Sequence, residues 1–95
     1  MNYPKFIITK NGQLRLGMVA LHKHLLLPGD TCLGGGYWRI NHALRQVELS
    51  GESSDYGRPQ WHRLTHIYYP EGYEGYSWTW AQAGRQYPLS EIIAM

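Results

Sequence analysis

Residues 76–80 carry the clearest hydrophobic pattern in the chain: Tyr76, Trp78 and Trp80 alternate with Ser77 and Thr79. Side chains along a strand point to opposite faces in turn, so this run predicts a strand with an aromatic core face. Residues 14–20 repeat the pattern, with Leu14, Leu16, Met18 and Ala20 on one face and Arg15 and Val19 on the other. Residues 5–9 form a short apolar run entered through Pro4, and Asn11-Gly12 between the two runs is a hairpin turn signal. An antiparallel pair is therefore expected at the start of the chain. Residues 37–41 read as a strand and residues 43–45 as a turn. Residues 46–50 form a further strand, with Val47 and Leu49 set against Gln46, Glu48 and Ser50.

Two segments predict helix. Residues 22–27 lack β-branched side chains and stop at Pro28-Gly29-Asp30, which suits one or two helical turns. Pro59 fits the first position of a short helix over residues 60–64. Residues 51–57 are a polar loop. Residues 65–69 fit a helix end or a strand and are read as a strand. No repeat, linker or low-complexity tract divides the chain, so residues 1–95 are expected to form a single domain. The expected class is α+β, a mostly antiparallel or mixed sheet with one or two short helices on one face. Its core is expected to include Ile8, Leu16, Ile40, Leu49, Trp78 and Trp80.

Composition narrows the function classes. Charged residues make up 17% and hydrophobic residues 43%, which excludes a disordered chain. A net charge of +2 tolerates anions but does not demand nucleic acid. The basic residues scatter instead of forming a stripe, so no nucleic-acid partner is expected. No window nears the ~18 apolar residues of a membrane span. The first residues lack the long apolar core of a signal peptide, and the one cysteine, Cys32, has no internal disulfide partner. A soluble, cytoplasmic protein is the expectation.

The chemistry-bearing residues are less directive. His22, His24, His42, His62 and His66 invite a metal reading, but no HExxH pattern surrounds them and few carboxylates lie nearby. No metal and no cofactor is expected. No GxSxG marks a nucleophile elbow, and Gly34-Gly35-Gly36 matches neither a P-loop nor a dinucleotide fingerprint. His22 stands where a strand gives way to the expected helix, beside unpaired amide donors and the positive end of a helix dipole. Lys5, on the partner strand, adds charge, and Ser53, in the polar loop, adds a hydroxyl. Each has a plainer reading as well: a hydrogen-bonded structural histidine, a solvated lysine and a turn-forming serine.

The run Cys32-Leu33-Gly34-Gly35-Gly36, followed by Arg39-Ile40-Asn41-His42, resembles the CLGGGRISH signature of the protein histidine phosphatase (janus-like) family. Gly51-x-Ser53-x-x-Tyr56-Gly57 resembles that family's G-Y-S-x-x-Y-G, and residues 76–81 resemble its Y-E-V-T-W-A strand. Upstream, residues 21–25 resemble its Y-H-A-D-I and residues 5–8 its K-Y-V-L. The pieces run in order from Lys5 to Ala81. The resemblance implies metal-free hydrolysis of phosphohistidine or small phosphorylated molecules. It gives His22 the role of general base or phosphate acceptor. It gives phosphate binding to Lys5, the Lys23 backbone N–H, Ser53, the Asp55 backbone N–H and Arg39. It makes the glycines a structural signature near the phosphate site.

This chain departs from the pattern in several places. Tyr37-Trp38 is inserted before Arg39, which keeps strand facing but moves the arginine along the strand. The family's upstream arginine has only Arg15 as a candidate. His24 stands in place of an acid, and a tail follows Gly84. Two functions therefore stand side by side: a phosphatase, or a non-catalytic module that recognises a phosphorylated or anionic partner.

Overall fold

Asn11-Gly12 closes the first hairpin, between strand β1 (Lys5–Thr9) and strand β2 (Gln13–Gly17). The computed structural model describes residues 4–67 and 72–93. Five further strands follow: β3 (Cys32–Asn41), β4 (Gln46–Ser50), β5 (His66–Ile67), β6 (Ser77–Gln82) and β7 (Arg85–Pro88). A five-residue helix α1 (Leu89–Ile93) comes last. The strands form one sheet in the order β5-β2-β1-β3-β4-β6-β7. β2 pairs with β5, and β4 with β6, in parallel; the other neighbours are antiparallel. The class is α+β-like, with a mixed sheet dominating.

Cross-strand pairs share a face, so the register sorts the side chains. Phe6 lies opposite Leu16, Ile8 opposite Leu14, Ile40 opposite Val47, and Leu49 opposite Trp80. This is the core face. Phe6, Ile8, Leu14, Val47, Leu49, Trp78 and Trp80 are buried there, with Leu16 and Ile40 partly buried against them. Trp61 closes the layer, stacked on Phe6 at 5.5 Å and edge-on to Trp80 at 5.1 Å. Leu89 of α1 is also buried in this layer. Each such side chain contributes roughly 1.5–3 kcal/mol on burial.

The helical expectations are corrected in length and placement. Residues 22–27 form only a single 3-10 turn, His22–Leu25. Residues 60–64 form a 3-10 turn, Trp61–Arg63. The two turns lie on opposite faces of the sheet. Trp61 packs on the core face, while His22 and Leu25 would meet side chains built at Gly35 and Gly17 on the other. The expected strand over residues 14–20 ends at Gly17. Residues 65–69 do hold a strand at His66–Ile67, and Tyr68 and Tyr69 lie outside the described residues. The tail after Gly84 is part of the fold, as β7 and α1.

The triple glycine lies inside β3 and does not precede it. Between Ile7–Gly35 and Thr9–Cys32 the register slips by one residue, a bulge in β3. Gly34 sits in it at φ +106, a backbone region open mainly to glycine. A side chain at Gly35 would meet the Phe6 carbonyl at 2.5 Å, and one at Gly36 the Ser50 carbonyl at 2.4 Å. The glycines thus let neighbouring backbones close in on both edges of β3.

Candidate functional site

His22 is 4% exposed, over the stretch Gly35-Gly36-Tyr37 of β3. Its Nε2 lies 2.9 Å from the Gly36 carbonyl oxygen. A carbonyl only accepts, so Nε2 carries the proton and donates, and in the neutral ring Nδ1 keeps the lone pair. The ring is also held edge-on to Tyr37, with centroids 5.6 Å apart. Carbon Cδ2 would stand 3.1 Å from a side chain at Gly35, so glycine there is what admits the imidazole.

Lys5 and Ser53 converge on the same stretch from different elements. Lys5 stands opposite Tyr37 in the β1–β3 ladder and is 7% exposed. Its Nζ lies 5.7 Å from the centroid of the Tyr37 ring, a cation–π arrangement. Ser53 is 2% exposed, and its N–H donates to the Gly35 carbonyl at 2.8 Å. Gly35 therefore has His22 above it, Ser53 at its free edge and Ile7 of β1 at the other.

The other expected ligands are placed differently. Ser53 Oγ accepts the N–H groups of Asp55 at 3.2 Å and Tyr56 at 3.1 Å. The Asp55 amide is thus engaged inside its own loop, and Ser53 acts as a turn former while keeping its hydroxyl proton to donate. The Lys23 N–H precedes the first bond of its turn, from His24 N–H to Leu21 O, so the turn itself offers it no acceptor. A four-residue turn carries almost none of the dipole expected of a helix.

Neither arginine joins the cluster. Arg15 lies in the row Arg15–Ile7–Gly35, two strand spacings (about 10 Å) from Gly35. Its guanidinium binds Asp30 at 2.7 Å and Gln13 at 2.8 Å, and makes a long 3.5 Å contact to the Leu25 carbonyl. It straps β2 to the end of the turn that carries His22. Arg39 donates through Nε to Glu48 at 2.6 Å, four residues along β3 from Gly35. Tyr37, not Arg39, occupies the place opposite Lys5. Strict alternation along β3 is the signal that points to Tyr37, because it shares a face with Gly35 and Arg39.

His62 and His66, four apart as on one helix face, lie instead exposed in a 3-10 turn and on β5. Among the described residues, no three His, Cys, Asp or Glu side chains gather to hold an ion. No helix among them is long and apolar enough to cross a membrane. Comparison of the chain with models of known families, with curated proteins and with solved structures finds no match.

Proposed function

We propose that this chain is a metal-independent phosphohydrolase acting on phosphohistidine or a related small N–P or O–P substrate, with His22 as its catalytic residue. The observation that carries the reading is the His22 Nε2–H···O=C Gly36 bond, which leaves Nδ1 as a base in a buried site whose Tyr37 ring also meets Lys5. Nδ1 takes a proton from water as the water oxygen bonds to phosphorus. The bond to the leaving nitrogen or oxygen breaks, and that atom takes the proton. The alternative role has Nδ1 itself accept the phosphoryl group, which water then removes. Lys5 offsets charge on the phosphoryl oxygens, and the Lys23 N–H and Ser53 hydroxyl act as further donors. The lone, unpaired Cys32 suits a reducing cytoplasmic setting.

A second reading has a specific observation behind it. Arg15 and Arg39 are both ion-paired to acids, while Lys5 and His22 meet the same Tyr37 ring. A module that binds a phosphorylated partner without turning it over needs no more. Phosphohistidine hydrolysis followed by 31P NMR, with and without chelator, separates the readings. Turnover that survives chelator and is lost in His22→Ala supports the enzyme. Binding without turnover supports the module.

A further inference from the structure

Tyr37 forms one wall of an open groove of about 390 Å³, lined also by Pro4, Trp38, Arg39 and Ser50. The groove begins where the His22 centre ends. Tyr37 packs against His22 and Lys5 and also lines the groove. Its ring is held in place from below: Gly51 is at φ +74, and a side chain there would meet Tyr37 Cδ2 at 2.8 Å. The opposite wall is Arg39. These two residues are two positions apart on one strand face, about 7 Å.

Arg39 is built to present charge into this groove. Its side chain is 75% exposed, while its acid partner Glu48 is 5% exposed. Glu48 is held in turn by Asn41 at 3.4 Å and Gln86 at 3.5 Å. Only Nε of Arg39 is engaged among the described residues, so the terminal N–H groups remain as an outward fork of fixed plane. Among the described residues, no acidic side chain lines the groove. Its lining combines the Tyr37 ring, Pro4, Ser50 and the Arg39 cation with Trp38, whose indole packs toward the core on the other face of β3, and its size lies within the usual range for a ligand cleft.

We infer that this groove selects a phosphorylated polypeptide segment with an acidic side chain two positions from the phosphorylated residue. The phosphorylated side chain lies against Tyr37 with its phosphoryl group toward His22, and that carboxylate meets the Arg39 fork. The spacing fits, since two residues of an extended segment advance about 6.6 Å and their side chains share a face. This inference rests on the reading of the His22 centre as a phosphoryl site.

The test uses two peptides bearing a stable phosphotriazole analogue of phosphohistidine, with Asp or with Asn two positions away on both sides. Calorimetry is expected to show the Asp peptide binding roughly fivefold more tightly to the wild type, the upper end for an exposed ion pair. The ratio should fall to about one in Arg39→Gln. It should persist in Arg45→Gln, which removes the same charge at the distant β3–β4 turn. A wild-type ratio near one, a ratio unchanged by Arg39→Gln, or no binding of either peptide overturns the inference. Turnover of phosphohistidine without Asp preference defeats this inference alone. An Arg39-dependent preference without turnover defeats the catalytic reading alone.

Discussion

His22 donates from Nε2 to the Gly36 carbonyl at 2.9 Å, while its Cδ2 rests against the bare backbone of Gly35. One strand thus sets both the tautomer and the depth of the imidazole. Nitrogen-detected NMR should find that the neutral form of the His22 ring carries its proton on Nε2. His22→Ala should lower hydrolysis by about 10²-fold or more, the scale of a lost general base. Rates from 31P NMR check this.

Lys5→Met should weaken phosphate binding by about 1–3 kcal/mol, the scale of a charge-assisted hydrogen bond. His24→Ala should do less, since His24 is exposed and no contact with the anion is assigned to it. Phosphate titration by NMR compares the two.

Gly35→Ala tests the glycine signature directly. The new methyl would lie 2.5 Å from the Phe6 carbonyl and 3.1 Å from His22 Cδ2. The carbonyl belongs to the β1–β3 ladder and has no room to yield, so the strands must part. A loss of about 1–3 kcal/mol in urea denaturation is expected, as for other overpacked sites.

Trp61→Ala removes the ring that closes the core over Phe6 and Trp80. Truncations of this kind cost about 3–5 kcal/mol, a large share of the stability of a small domain. Thermal or urea unfolding should show a marked drop, or loss of the folded state.

Partial burial raises the Cys32 thiol above its ordinary value, the dominant cause over the hydrogen bonds that oppose it. The folded protein therefore holds this proton more tightly than the unfolded chain. Any stability linked to it is full below the unfolded thiol's pKa and falls as pH rises toward the folded one. Thiol titration should find Cys32 reacting slowly near pH 8 and faster in more alkaline buffer, with urea midpoints declining over the same window.

The alternation of Tyr76, Trp78 and Trp80, and of Gln46 through Ser50, determined by itself which side chains face the core. A strand has only two faces, and one-residue slips would expose tryptophan. Asn11-Gly12 likewise specified the first hairpin without help. The length of the His22 element was not decided locally. Residues 22–27 suit a helix locally, but Pro28-Gly29 stops them and tertiary packing on Gly17 and Gly35 holds them to one turn. Strand β7 and α1 were also beyond local reading, because Arg85–Pro88 becomes a strand only by pairing with β6 and Leu89 is apolar cargo for a core built elsewhere. His22, Lys5 and Ser53 were nameable from the sequence as candidates. Their meeting at Gly35–Tyr37 required β1, a loop and a turn far apart in the chain to pack on one strand. The partners of Arg15 and Arg39 followed from the same packing, since Asp30 and Glu48 come within reach only once the sheet and its loops are in place.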